Sequence, residues 1–411
     1  MQTYCRLRAF DIETDSSVIS PKGLRHKDCG MDLHKMFAAM HLKPEFVTVL
    51  PDRLVKTGQD FILRCETNTE RVNVTWMKKG QKLCCVEGKH KTEKNGTTVS
   101  LEIKNAEVGD EGNYTVTIQN STGSDSCSAM VIIELEEWRT VQWKQAPMVS
   151  TLKSFKIIGE NVRELRFLLH GPVGAGKSSI INTIKSIFEE HQYINCLTAS
   201  AVTGESFTKK FEKYNVGNVP VTFYDVMGLE KDKLKGVHTE DIISALKGHV
   251  PNDYTFKECA PIDEDNRYYI LKPTLNDQIH CLVSVIPADK ISMMDQEVIQ
   301  KIKDIRAAAS KLGIPQVLFM TRVDQVCTMT QRDITKIYQS KKIKEKMMEC
   351  SNRVGVPLNC IFPVKNYSEE NKPNEKLNCL MLEAFTQIVH AANDFVKKNS
   401  KKEKKLEVVS C

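Results

Sequence analysis

Residues 167–179 read FLLHGPVGAGKSS and contain the pattern G-x-x-x-x-G-K-S, from Gly171 to Ser178. An apolar run from Leu165 to Leu169 precedes the pattern, and a run typical of a helix follows it. A strand, a glycine-rich turn and a helix in this order are the context of a phosphate-binding P-loop. There the backbone N–H groups and the positive end of the helix face an anion. A glycine-rich turn that merely happens to contain Lys-Ser is the alternative, and the flanking strand and helix argue against it.

The pattern gives each residue type a candidate role. Glycines let the backbone approach phosphate without a Cβ in the way. Lys177 is expected to place its charge on the β- and γ-phosphates of a nucleotide, and the Ser178 hydroxyl is expected to ligate Mg²⁺. The predicted nucleotide-binding residues of this loop are Gly171, Val173, Gly174, Ala175, Gly176, Lys177, Ser178 and Ser179.

A second motif, D-x-x-G, follows a predicted strand and spans Asp225 to Gly228. Asp225 is expected to hold the Mg²⁺ through a water molecule, and the Gly228 N–H to sense the γ-phosphate. Leu229 stands where a water-orienting Gln often occurs, so the sequence assigns no catalytic residue. The magnesium-linked threonine of the switch also stays open, with three candidates of equal standing: Thr198, Thr203 and Thr208. The polar segment 229–278 is predicted to be either a switch-like lid or an insertion on the rim.

A third motif, T-R-V-D, extends from Thr321 to Asp324 after a predicted strand. It resembles the guanine-specificity pattern [N/T]-K-x-D, with Arg322 in place of the usual Lys. The Asp324 carboxylate can accept from the two N–H groups on the guanine edge, which adenine lacks. Capping of a helix that begins near Thr330 is the alternative role for Asp324. The loop after the last predicted strand, around Lys365–Tyr367, is expected to close over the base edge.

Each of the three motifs lies at the carboxyl end of a predicted strand. Nucleotides bind at that edge of doubly wound sheets. The sequence therefore predicts an α/β P-loop G domain of three layers over residues 161–399, which binds GTP or GDP with Mg²⁺ through Thr321, Arg322, Asp324 and the residues named above. Asp324 and the lack of an evident acceptor site argue against an ATPase or a small-molecule kinase.

Residues 44–136 have a different texture, with six short alternating runs separated by Gly, Asn and Asp. This pattern predicts an all-β sandwich of the immunoglobulin type. Trp76, about ten residues after Cys65, is expected to pack between the sheets, and Tyr114 fits a tyrosine corner. Val116 occupies the position of the second sandwich cysteine, so the usual bridge between the sheets is missing. The sequence leaves open whether this domain recognises a protein partner or serves as a spacer.

Composition and termini limit the rest of the chain, whose 411 residues suit two or three domains. Six lysines between Lys397 and Lys405 account for most of the net charge of +6, and the rest of the chain is close to neutral, so no global DNA-binding surface is indicated. The sequence predicts an unassigned segment 1–43, a linker 137–160 and a basic disordered tail 400–411, for which acidic lipid or RNA is the less favoured partner. Signal peptide and membrane-spanning patterns are absent, and the 14 cysteines are scattered, which indicates a reduced cytoplasmic protein.

Four stretches together resemble the interferon-induced protein 44 family: Arg166–Ser179, Asp225–Leu229, Ile279–Pro287 and Thr321–Asp324. The resemblance covers about residues 161–399, and an immunoglobulin domain ahead of the G domain is similar to fish members of the family. It implies an interferon-inducible cytosolic protein of the antiviral response that binds GTP.

These features lead to three hypotheses of function. The first is a guanine-nucleotide-binding protein whose hydrolysis is slow or depends on a partner or on GTP-dependent self-association. The second is a nucleotide-gated adaptor that binds a protein through its immunoglobulin domain without significant hydrolysis. An immunoglobulin scaffold on a decayed G domain is the third reading, which the intact Lys177, Ser178, Asp225 and Asp324 argue against.

Overall fold

The computed structural model describes residues 42–159, 161–191, 193, 210–232, 236–257, 260–370 and 372–409, with side chains up to residue 401. The predicted N-terminal segment lies almost wholly outside these residues. The three candidate switch threonines, Thr198, Thr203 and Thr208, lie outside them as well.

The first domain is a β-sandwich of two sheets. One sheet has the strand order β1-β3-β7-β6 and the other the order β2-β9-β8-β4-β5. The nine strands are β1 (Phe46–Thr48), β2 (Arg53–Lys56), β3 (Phe61–Thr67), β4 (Asn73–Lys78), β5 (Gln81–Lys82), β6 (His90–Asn95), β7 (Thr98–Ile103), β8 (Gly112–Asn120) and β9 (Gly123–Glu134).

Alternation along the strands builds the sandwich core. In β3 every second residue is buried, from Phe61 through Leu63 and Cys65. Trp76 is only 6% exposed and packs in the same core, as predicted. The Tyr114 hydroxyl donates to the carbonyl oxygen of Asp110 at 2.9 Å, which is the tyrosine corner. The immunoglobulin-like sandwich is thus confirmed in its core and at its corner.

The buried thiol of Cys65 has a neighbour that the sequence analysis did not identify. Val116 on β8 pairs with Cys127 on β9, and the Cys127 thiol forms a hydrogen bond with that of Cys65. This bond lowers the pKa of Cys127 to about 7 and, with burial, raises that of Cys65. The cysteine facing Cys65 therefore comes from β9 instead of β8.

The second domain is built on a six-stranded sheet with the order β11-β12-β10-β13-β14-β15. All pairs are parallel except β11 with β12. Its strands are β10 (Leu165–His170), β11 (Glu212–Val216), β12 (Val219–Asp225), β13 (Cys281–Pro287), β14 (Gln316–Thr321) and β15 (Ile361–Pro363). Its helices are α1 (Gln145–Lys153), α2 (Lys177–Glu189), α3 (Thr239–Lys247), α4 (Gln296–Leu312), α5 (Thr328–Arg332), α6 (Lys341–Val354) and α7 (Glu375–Val409). The first domain also has a short 3-10 helix at Val108–Asp110. In the second domain, short 3-10 helices occupy Ile291–Met293, Val323–Gln325, Ile334–Gln339 and Leu358–Cys360.

Parallel strands covered on both faces explain the apolar runs in the sequence. Every residue of β13 is buried. The chain leaves β10 toward β12 on one side and later returns to β13 on the other, so the strand order reverses between β10 and β13. A crevice at the carboxyl ends of the strands follows from such a reversal. On one face Phe385 of α7 packs against Phe167 and Phe223 of the sheet.

Two boundaries differ from those that the sequence predicts. The predicted linker 137–160 contains α1, which packs on α7 and places Met148 and Leu152 in the main core. The sequence does not predict this helix, because its apolar residues are too sparse to form a clear helical period. At the other end, α7 continues to Val409 through the lysine-rich stretch that the sequence placed in a tail from residue 400. Within the described residues, no helix is both long enough and apolar enough to cross a bilayer.

Segment 229–278 is packed against the second domain over much of its described length. Ile242, Tyr254 and Leu275 are buried in the main core. The Asp241 carboxylate accepts from the Ile262 backbone N–H at 2.7 Å, and burial raises its pKa to about 6. Residues 236–257 and 260–278 therefore contribute to the core of the second domain.

Candidate nucleotide site

The glycine-rich loop joins β10 to α2 and presses against the neighbouring strand. A Cβ on Gly171 would lie 2.1 Å from the carbonyl oxygen of Val285 on β13, so only glycine fits. Gly176 precedes α2 with a left-handed φ of +93°. The other predicted residues of the loop lie between β10 and the first turn of α2: Val173, Gly174, Ala175, Lys177, Ser178 and Ser179.

Lys177 begins α2 and is only 7% exposed. Its ammonium donates to the carbonyl oxygens of Gly171 and Pro172 over long distances, 3.4 Å and 3.3 Å. Burial lowers the pKa of Lys177, and the Asp225 carboxylate opposes that shift. A buried ammonium on two distant carbonyls is weakly compensated, so a bound anion would improve its surroundings.

Ser178 and Asp225 meet at the strand ends. The Ser178 hydroxyl donates a short hydrogen bond to the Asp225 carboxylate, which is 1% exposed at the last position of β12. Asp225 is also paired in register with Leu169 of β10, the strand that leads into the loop. A hydroxyl and a carboxylate at one point are the hard oxygen donors that Mg²⁺ prefers.

The D-x-x-G turn closes directly on the glycine-rich loop. A Cβ on Gly228 would come within 2.6 Å of the Val173 Cα, so this contact also requires glycine. The Leu229 backbone N–H donates to the Gly171 carbonyl at 2.9 Å. The Leu229 side chain is 1% exposed, in the main core. Leu229 therefore ties the two loops together and cannot orient a water molecule.

The T-R-V-D turn at the end of β14 is fixed to the same loop. The Thr321 hydroxyl donates to the Ala175 carbonyl at 2.6 Å and is fully buried. The half-buried Asp324 carboxylate accepts from the Gln325 side chain at 3.0 Å. Helix α5 begins at Thr328 with Cys327 as its capping position. Asp324 therefore does not cap that helix, which removes the alternative that the sequence left open.

Two side chains near these turns lie outside the three motifs, and one of them, Asn366, belongs to the loop that the sequence predicts to close over the base edge. Asp289, two residues beyond β13, forms an ion pair of 2.9 Å with the Arg322 guanidinium. Asn366, beyond β15, donates to the Gly176 carbonyl at 3.3 Å. Both follow buried strands whose carboxyl ends meet at one edge, and that position was the signal that could have found them.

Below the loop, His170 is buried without charge. Its Nε2 lies 2.8 Å from the Ser284 hydroxyl on β13, and burial lowers its pKa to about 3. A neutral imidazole here adds no positive charge beneath Lys177. No role for His170 is predicted from the sequence, because a histidine in an apolar strand has no distinctive pattern.

The architecture defines an immunoglobulin domain followed by an α/β domain with a mainly parallel sheet. The immunoglobulin I-set domain family matches residues 44–133. Mouse interferon-induced protein 44 is 31% identical over 64% of this chain and 63% of its own length. Human interferon-induced protein 44-like is 30% identical over 61% of this chain and 56% of its length. Human interferon-induced protein 44 is 29% identical over 76% of this chain and 72% of its length.

These matches confirm the resemblance that the motif stretches indicated. The chain is similar to the interferon-induced protein 44 and 44-like proteins, and the I-set family matches its N-terminal part. It spans about six-tenths of the length of the first two of these relatives.

Proposed function

We propose that the protein binds guanine nucleotide with Mg²⁺ at the carboxyl edge of the second sheet. One observation supports this above all: two separate turns, D-x-x-G and T-R-V-D, converge on one loop through three contacts. Asp225 meets Ser178, Leu229 meets Gly171, and Thr321 meets Ala175. Separate segments brought together in this order correspond to the metal, γ-phosphate and base elements of a GTP site.

The phosphate side fits the proposed ligand. Lys177 is a buried cation with weak acceptors, and it lies beside a loop shaped by glycine. Ser178 would ligate Mg²⁺ directly, and Asp225 would hold the ion through water. When bound, Mg²⁺ would neutralise charge on the β- and γ-phosphates.

The base side supports guanine over adenine. Asp324 would accept from the two N–H groups of the guanine edge, whereas adenine would leave a desolvated carboxylate unpaired. Because Asp289 holds the Arg322 guanidinium, the aliphatic stem of Arg322 is available to cover the base. This favours a GTP-binding protein over an ATPase or kinase.

The relatives add a setting for this site. Since they are named interferon-induced proteins, we extend to this chain an interferon-inducible role in the immune and antiviral response, in the cytoplasm. The I-set domain would supply the contact with a protein partner. A nucleotide-gated adaptor is the second candidate function. The buried, apolar Leu229 favours it, because Leu229 cannot orient water for hydrolysis and an adaptor needs only to bind GTP.

Calorimetry on the purified chain with Mg²⁺ tests the binding proposal. We expect GTP and GDP to bind and ATP to bind at least about tenfold more weakly, because only guanine satisfies Asp324. Equal affinity for ATP would contradict the base assignment. A chain that binds none of the three nucleotides would leave an immunoglobulin-type interaction protein on an α/β fold.

Hydrolysis should be slow in the isolated protein. Leu229 offers no polar group to attacking water, so we expect turnover of GTP well below about 1 s⁻¹ at low protein concentration. Phosphate release measured over a range of protein concentrations checks this. A rate that rises with concentration would indicate assistance by self-association. A turnover of about 1 s⁻¹ or more that does not depend on protein concentration would refute the prediction.

A further inference from the structure

The segment between the two domains makes backbone contacts with the part of the chain that follows the T-R-V-D turn. We call residues 134–139 the connector. Glu134 forms an antiparallel bridge with Ser340. The Leu135 N–H donates to the Gln339 carbonyl at 2.8 Å, and the Trp138 N–H to the Tyr338 carbonyl at 3.3 Å. The end of the immunoglobulin domain is therefore seated on residues 338–340.

Residues 338–340 are tied back to the base side of the site. Between Asp324 and Tyr338 the chain forms α5 and the 3-10 helix Ile334–Gln339. The buried Thr330 hydroxyl contacts the Val323 carbonyl at 3.1 Å, inside the T-R-V-D turn. A shift of the connector would therefore be transmitted through residues 330–338 to Val323, the residue before Asp324.

Arg139, the last residue of the connector, reaches the other base-side segment. Its guanidinium donates to the Ile361 carbonyl at 2.7 Å and to the Leu358 carbonyl at 3.0 Å. It also lies 5.1 Å from the ring centroid of Tyr338 and 5.6 Å from that of Phe362. Two hydrogen bonds and two aromatic faces fix this side chain between residues 338–340 and β15.

From β15 the connection continues to the glycine-rich loop. The Val364 N–H donates to the Met320 carbonyl at 2.8 Å, and Asn366 donates to the Gly176 carbonyl at 3.3 Å. Arg139 thus contacts two segments: it donates to backbone carbonyls of the segment that leads to Asn366, and it lies over the Tyr338 ring of the segment that follows Asp324. An Arg fork suits this task because its donors are planar and pre-organised, whereas a Lys ammonium offers a single point charge.

We infer that Arg139 is a positioning residue for the base side of the nucleotide site, and that it couples the seating of the immunoglobulin domain to guanine-nucleotide binding. This inference rests on the proposed function. Because coupling between two equilibria is reciprocal, nucleotide should tighten the connector as much as the connector favours nucleotide. The nucleotide would then act on a protein partner through the orientation of the immunoglobulin domain.

Arg139→Lys tests the positioning role, with Arg166→Lys as the matched control. The Arg166 guanidinium also donates to a backbone carbonyl, that of Asp277 at 3.0 Å, and lies 5.3 Å from the Tyr224 ring, but at the amino end of β10. We expect Arg139→Lys to weaken GTP binding about tenfold in calorimetry, and the control to change it less than about twofold. An equal effect of both variants, or no effect of Arg139→Lys, would overturn the inference.

Hydrogen exchange of the full-length wild type gives a readout that does not depend on the variant folding. GTP with Mg²⁺ should slow exchange at the Leu135 and Trp138 amides as well as in the glycine-rich loop. At saturating GTP, Arg139→Lys should keep the protection of the loop and lose that of the two connector amides. Protection of the loop alone in the wild type would refute the coupling while leaving GTP binding intact. No protection anywhere would refute GTP binding itself.

Discussion

Lys177→Ala is expected to weaken the binding of GTP and GDP by at least about 100-fold, which corresponds to about 2.7 kcal/mol. The ammonium of Lys177 is buried beside the glycine-rich loop and donates to carbonyl oxygens at the long distances of 3.3 Å and 3.4 Å. Phosphate oxygens would replace these weak contacts with charge-assisted hydrogen bonds in a site of low dielectric. Calorimetry of the variant against wild type measures the loss.

The stability of the same variant separates binding from folding. The pKa of Lys177 is lowered in the folded chain, so at neutral pH the charged ammonium is more costly there than in the unfolded chain. This cost falls as the pH rises from the folded pKa to the unfolded pKa, because in that range the unfolded chain holds a proton that the folded chain has released. Lys177→Ala should therefore not lower the free energy of unfolding at neutral pH by this route.

Lys185→Ala is the matched control for this prediction. Lys185 lies about two turns further along α2, with its ammonium 4.1 Å from the centroid of the Tyr193 ring. Its removal should leave nucleotide affinity within about twofold of wild type. If both variants bind nucleotide as the wild type does, the glycine-rich loop is not a phosphate site.

Most of the fold could be predicted because its elements have strong local patterns. Alternation identified β3 and β8, and β13, which is apolar except for Ser284, was predicted as a buried strand. β6 was missed because all but its first residue are exposed, so it has no apolar face to reveal an edge strand. Among the described strands, β11 pairs with β12 alone, at the edge of the sheet. Its sequence EKYNV is mostly polar, so it also lacks the apolar pattern of a buried strand.

The site could be predicted only as separate motifs. Lys177, Asp225 and Asp324 could be predicted as site residues because each lies in a recognisable motif at or after the end of a strand. Two further contacts of these motifs involve Asn366 and Asp289, which belong to none of the three motifs and are brought in by strand order. The connector could not be anticipated either, since its anchors are backbone carbonyls, which leave no mark on the sequence.

Asp324→Asn is expected to exchange the base preference of the protein from guanine to xanthine. In the proposed complex the Asp324 carboxylate would accept from the ring N–H and the exocyclic amino group of guanine. An Asn side chain keeps one acceptor for the ring N–H and turns an amide N–H toward the second position, where guanine would also present a donor. Xanthine has a carbonyl oxygen at that position and would accept from the amide. Two donors facing each other in a desolvated site cost about 1–3 kcal/mol, so GTP affinity should fall about tenfold to 100-fold.

Gln325→Ala is the matched control at the next residue. Its side chain donates to the Asp324 carboxylate at 3.0 Å, so its removal frees the carboxylate without changing its chemistry. GTP should bind this variant as tightly as the wild type or slightly more tightly, with guanine still preferred. Competition among GTP, XTP and ATP on wild type and both variants measures the exchange. If Asp324→Asn lowers GTP affinity without any gain for XTP, Asp324 supports the turn without reading the base. A gain for XTP in that variant alone would place the base edge at this carboxylate, since only direct pairing makes one exchanged atom select between two nucleotides.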